Sequence, residues 1–145
     1  MKIVLQRVSS ASVKVADEIV GSIEHGLLLL IGFSSTDTEE NILPTIEKIV
    51  KLRIFSDEEG KMNKSVLDVN GSALLVSQFT LFADTKKGNR PSFIEAARPK
   101  QAIPLYEFFI TEMKKRISIV ETGIFGVDMK VELVNDGPVT ILFES

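Results

Sequence analysis

Hydrophobic positions along this chain change their spacing several times, and each spacing predicts a different element. Residues 2–8, 12–16 and 19–24 carry β-branched side chains with partial alternation, which predicts three strands. Asp17-Glu18 and Glu24-His25-Gly26 read as the turns between them. Residues 27–33 are apolar throughout, as in a central strand buried on both faces. Ile42, Ile46, Ile49, Val50 and Arg53 then fall at helical spacing. Asp37 or Thr38 offers a cap, and Pro44 predicts that the regular helix begins near it or kinks there. Residues 55–70 hold turn formers and predict an ordered loop. A second buried strand is expected over 73–82, followed by a loop over 84–99 punctuated by Gly88, Pro91 and Pro99. Ala102, Leu105, Phe109, Met113 and Ile117 mark a long amphipathic helix with Pro104 in its first turn. After Gly123 and Gly126, Val127, Met129, Val131 and Leu133 alternate with polar residues, and Val139, Ile141 and Phe143 do so again. This predicts two strands joined by a turn at Asp136-Gly137-Pro138. Strands, helix, strand, helix, strands is the order of an α/β domain over residues 1–145, with mixed β-sheets covered by two helices.

The 73–82 run breaks its own pattern. Ser77, Gln78 and Thr80 place three hydrogen-bonding side chains where a buried strand is normally filled by Val, Leu and Ile. Buried polar groups are costly unless paired with one another or with a ligand, so Ser77-Gln78-Phe79-Thr80-Leu81 is a candidate site.

Composition narrows the chemistry. The chain has 145 residues, 44% hydrophobic and 26% charged, enough for one domain with a real core. It contains no cysteine, which removes disulfides, thiolate nucleophiles and cysteine-bound metals. Its single histidine, His25, sits in an expected turn, so a Ser-His-Asp triad is not supported. No His/Asp/Glu spacing suggests a metal, and neither a Gly-x-Gly-x-x-Gly run nor a P-loop lysine suggests a nucleotide cofactor. An enzyme built from these residues would work with backbone amides, hydroxyls, one side-chain amide and the substrate's own groups. That suits a bond already activated, such as an aminoacyl ester beside a ribose hydroxyl.

Net charge is −3, which argues against general nucleic-acid binding. Between 84 and 100, however, Lys86, Lys87, Arg90, Arg98 and Lys100 face only Asp84 and Glu95. This patch could hold the end of an RNA, or be a solvated loop. Residues 1–10 lack the build of a secretion signal, and the apolar run at 27–33 is far shorter than the roughly 20 residues of a membrane span. A cytoplasmic protein without membrane contact is the expectation.

Five blocks together resemble the D-aminoacyl-tRNA deacylases along the whole chain. They are Ser77-Gln78-Phe79-Thr80-Leu81, Asn135-Asp136-Gly137-Pro138-Val139-Thr140, Lys87-Gly88-Asn89-Arg90-Pro91-Ser92-Phe93, Gln6-Arg7-Val8, and Gly123 with Phe125-Gly126. Each block is weakly specific, and their ordered set is strongly so. Val127, where the family often has Ala, is the one variation.

The resemblance implies a homodimer of the deacylase-like fold that cleaves D-amino acids, and glycine mischarged on other tRNAs, from the 3′ acceptor end without a cofactor or metal. It implies that Gly137-Pro138 forms a cis peptide, reaches into the other subunit's pocket and offers backbone carbonyls to the substrate's α-ammonium. Arg7 would bond and orient that backbone. Ser77, Gln78, Phe79 and Thr80 would line the catalytic pocket, with Thr80 given a positioning or hydrogen-bonding role; Thr80 as nucleophile is the weaker reading, because no base is visible to activate it. Phe125 and Met129 would pack near the terminal adenine, unless they are simply core. Lys86, Lys87 and Arg90 would contact tRNA. Two rival readings are a sister deacylase that removes an L-residue and a non-catalytic small-ligand module. The second leaves the polar side chains of the 73–82 run unexplained.

Overall fold

The strands expected at 2–8 and 12–16 are one strand, β1 (Lys2–Val15). The computed structural model describes all residues 1–145. Ala16 and Asp17 both have positive φ and make the turn, one residue earlier than expected, into β2 (Glu18–Ile23). The next strand, β3 (Gly26–Gly32), lies antiparallel to β1 from Lys2–Gly32 to Val8–Gly26. After α1 (Glu39–Lys51) comes a small antiparallel pair, β4 (Phe55–Ser56) and β5 (Met62–Lys64), within the expected loop. The remaining elements are β6 (Ser72–Ser77), a 3-10 turn at Phe79–Phe82, α2 (Pro99–Lys114), β7 (Val120–Thr122) and β8 (Lys130–Glu144).

The main sheet is six-stranded and mixed. Its order is β2-β1-β3-β6-β7, and β8 pairs along the other edge of β1. The β3–β6 and β6–β7 pairs are parallel, the others antiparallel. The sheet curls until β2 meets β7. A Cβ at Gly21 would lie 2.7 Å from the Thr122 carbonyl oxygen, so only glycine allows this closure. Both helices pack on one face, where Ile42, Ile46 and Ile49 of α1 meet Phe109 and Met113 of α2 over Leu29 and Leu75. Phe109 is fully buried, and its truncation to Ala would cost about 3–5 kcal/mol. Inside the curl, Val8, Val13, Leu28, Leu74 and Val76 form a second apolar cluster.

Pro44 and Pro104 lie inside the helices, not at their starts. α1 begins at Glu39 behind its Thr38 cap, and α2 places Pro99, not Pro104, in its first turn. Pro44 and Pro104 are exposed, so the carbonyl that each leaves unpaired faces water. No helix is long and apolar enough to cross a membrane.

Candidate active site

The strand expected over 73–82 ends at Ser77. Gln78 (φ −145°, ψ 81°) turns the chain into the 3-10 segment Phe79–Phe82. Of the polar residues in the run, Ser77 is therefore the last of β6, paired with Ile31, and Gln78 and Thr80 lie beyond the sheet. They mark the point where the chain leaves it, at the carboxyl end of β6 beside the end of β3. Gly32, the last residue of β3, makes room for the turn: a Cβ there would lie 2.8 Å from the Gln78 carbonyl oxygen.

Ser77, Gln78 and Phe79 line a cavity of about 430 Å³, walled opposite by Phe125, Met129 and the backbone between them. Ala97 and Ala102, before and within the first turns of α2, keep it open. Gly123 admits Met129, since a Cβ at that position would lie 2.5 Å from the Met129 sulfur. Behind Phe125, the Tyr106 ring stands 6.0 Å away, and its hydroxyl donates to the Leu75 carbonyl at 2.8 Å. Burial pushes the Tyr106 phenol well above its ordinary range, so it is a fixed donor and not a proton carrier.

Thr80 is exposed and is not part of the cavity wall. Its hydroxyl accepts a hydrogen bond from the Gln78 side-chain amide. No histidine or carboxylate hydrogen-bonds it. His25 is exposed and packs edge-on against Phe55.

Gly137 and Pro138 lie elsewhere in the chain. The expected hairpin there is a wide bulge within one strand. Gln6 pairs with Thr140 and Val8 with Asn135, so Arg7 alone faces residues 136–139. The Gly137–Pro138 peptide is cis, Gly137 has φ +137°, and both residues are exposed. Arg7 is buried beneath them. Its Nε donates to the Asp136 carbonyl at 2.8 Å, and its Nη1 donates to the Ile54 carbonyl at 2.6 Å. Arg7 thus holds the residue before Gly137 rather than Gly137-Pro138 itself. Neither Gly137 nor Pro138 borders the chain's own cavity.

The basic block forms an exposed loop closed at its base by Asp84 and Ser92, whose backbones exchange hydrogen bonds of 2.8 and 2.9 Å. Lys86, Lys87 and Arg90 project from it into solvent. Phe93 joins this loop to the cavity rim through an edge-to-face contact with Phe79, centroids 5.1 Å apart.

Pattern reading gave Asn135 no role beyond its place in the 135–140 block. Asn135 accepts from the Val139 N–H at 2.8 Å and donates to the Thr140 hydroxyl at 3.0 Å, closing the neck of the bulge. Pattern reading missed the Ile54 carbonyl as an anchor for Arg7. No side-chain pattern can reveal a backbone acceptor.

A family model described as D-Tyr-tRNA(Tyr) deacylase matches residues 4–144. The D-aminoacyl-tRNA deacylase of Cytophaga hutchinsonii is 60% identical over 143 residues, covering 98% of this chain and 95% of its own. That of Brevibacillus brevis is 57% identical over the full length of both. A solved structure of a c-Myc DNA unwinding element binding protein superposes with a TM-score of 0.94 at 43% identity, covering 100% of this chain and 99% of its own. One described as a probable eukaryotic D-amino acid tRNA deacylase shares the fold, with a TM-score of 0.85 at 19% identity over 98% of this chain and 97% of its own. With a family model spanning nearly all residues and full-length relatives at this identity, the chain belongs to the D-aminoacyl-tRNA deacylase family.

Proposed function

We propose that this protein hydrolyses the ester of D-aminoacyl-tRNA, as chirality proofreading in the cytoplasm, at a site shared by two copies of the chain. One observation carries the reading. The polar turn at Ser77-Gln78-Phe79 borders a cavity, while Gly137-Pro138 is exposed on a clamped bulge that is not among that cavity's walls. Two copies related by a twofold axis would each complete the other's site. Exposed apolar residues on β8, Val134 and Leu142, together with its free edge, supply a surface for such an association.

In this arrangement the terminal adenosine enters between Phe125 and Met129, and the ester lies along Ser77, Gln78 and Phe79. The partner's Gly137 and Pro138 turn their carbonyls toward the α-ammonium. With ammonium and ester both held, two directions remain at the α-carbon, one closed and one open. Hydrogen fits the closed one and a side chain does not, so a D side chain takes the open direction and an L side chain is excluded. Glycine lacks that side chain, so glycyl-tRNA is a further substrate.

Chemically, water adds to the ester carbonyl carbon. The bond to the ribose oxygen breaks, and the proton released by water reaches that oxygen through the neighbouring 2′-hydroxyl. Free D-amino acid and tRNA leave. Thr80 orders the Gln78 amide and is not the nucleophile, since no base stands beside it. Lys86, Lys87 and Arg90 hold the acceptor phosphates.

Deacylation of one tRNA charged with the D- and the L-form of the same amino acid, and with glycine, tests this directly. The D- and glycyl esters should be cleaved and the L-ester spared. Equal cleavage of both enantiomers, preference for L, or no cleavage of any ester would refute it.

A further inference from the structure

We infer that Asn135 is a positioning residue for the Gly137-Pro138 bulge, setting where its carbonyls point. This rests on the proposed role of that bulge in stereoselection.

With Arg7 alone opposite residues 136–139, the β1–β8 ladder is interrupted, and the backbone groups of the bulge lose their strand partners. Two of those groups are taken up by side chains. The Asp136 carbonyl accepts from Arg7 Nε, and the Val139 N–H donates to Asn135 Oδ1 at 2.8 Å. These two groups flank Gly137-Pro138 on either side. The other end of the same amide, Asn135 Nδ2, reaches the Thr140 hydroxyl at 3.0 Å. One side chain therefore bridges from the residue before the bulge to the two residues that end it. Arg7 fixes the entry from beneath, and Asn135 fixes the exit across the neck.

The geometry selects the residue type. The neck needs an acceptor for Val139 N–H and a second polar atom for Thr140 on a short side chain. Asn supplies both. Asp keeps the shape and the acceptor, and the Thr140 hydroxyl can rotate to donate to it. Ala removes both links without adding bulk. Thr140→Val removes only the lesser link.

The expected results separate positioning from folding. Asn135→Ala should lower kcat on D-aminoacyl-tRNA by about tenfold or more, with a smaller change in KM, because a carbonyl misplaced by a fraction of an ångström weakens orientation. The D-over-L ratio should fall with it. Asn135→Asp should recover most of both, and Thr140→Val should lie between Asn135→Ala and wild type. Hydrogen exchange of the 135–140 segment, followed by mass spectrometry, gives a readout independent of activity: protection at Val139 should be lost in Asn135→Ala and regained in Asn135→Asp.

Unchanged protection in Asn135→Ala would overturn the clasp. Lost protection with kcat and D-over-L ratio within twofold of wild type would overturn its positioning role. Equal damage by Ala and Asp, tracking a fall in melting temperature, would make the residue merely structural. A wild-type protein that does not cleave the D-ester would instead sink the shared-site reading, and this role with it, whereas an active wild type confines any failure to Asn135.

Discussion

Arg7 and Asp136 are joined side chain to backbone, the Arg7 Nε donating to the Asp136 carbonyl at 2.8 Å. Through Nη1 the same guanidinium donates to the Ile54 carbonyl at 2.6 Å, just beyond the end of α1. A planar fork can serve two such acceptors at once, and an ammonium cannot do so in the same geometry. Arg7→Ala would leave the buried carbonyl of Ile54 without a donor, a loss of about 1–3 kcal/mol. Arg7→Lys should keep more of the stability and still lose the fixed bulge. Denaturant midpoints together with kcat for the D-ester check both. If Arg7→Lys retained full activity, the clamp would be dispensable.

Gly137 has no space for a side chain. A Cβ there would lie 2.8 Å from Val139 Cγ2 and 3.0 Å from Arg7 Nη2, at φ +137°. Gly137→Ala should therefore abolish measurable D-aminoacyl-tRNA cleavage. Because the bulge is exposed, the protein should remain folded, with a stability loss of about 1–2 kcal/mol. Circular dichroism melting and single-turnover deacylation separate the two effects.

In the proposed hydrolysis the assisting hydroxyl is the substrate's own, not that of Thr80. Thr80 is hydrogen-bonded to Gln78 and has no base beside it. Thr80→Ala should keep about a tenth or more of the wild-type rate, whereas a 2′-deoxy terminal ribose should lower it further. A dead Thr80→Ala with an undiminished deoxy substrate would assign the chemistry to a protein nucleophile.

Lys86, Lys87 and Arg90 stand on a loop joined to the cavity rim by the contact of Phe93 with Phe79. Replacing all three by Ala should raise KM for tRNA and leave kcat nearly unchanged. The slope of log affinity against log salt should fall by about two. An unchanged KM and slope would show that the loop is merely solvated.

Much of this was legible in the pattern of residues. The helical phase of Ile42, Ile46 and Ile49 marks α1, and the unbroken apolar run at 27–33 marks β3. Three features were not legible, each for a physical reason. Ser9 and Ser10 are exposed where the β1–β8 register shifts, so the alternation breaks although the strand continues. The strand end at Ser77 is hidden because the 3-10 turn that follows is itself apolar, with Phe79 exposed and Phe82 buried. Asp136-Gly137-Pro138 has the composition of a hairpin turn, yet the chain rejoins the same strand. Only the pairing of Gln6 with Thr140 and Val8 with Asn135 decides between turn and bulge, and that lies outside the local sequence.

If each site is built from two chains, two variants that are inactive alone should restore activity when mixed. Gly137→Ala subunits have an intact pocket and a blocked bulge. Gln78→Ala/Phe79→Ala subunits have the reverse. Each alone should be inactive on D-aminoacyl-tRNA. After unfolding and refolding together at equal concentration, half the dimers should be mixed, with one sound site each, restoring about a quarter of the wild-type rate. Recovery near that level, with the L-ester still spared, is the predicted result. No recovery despite mixed dimers verified by mass spectrometry, or full activity in a sedimenting monomer, would contradict it.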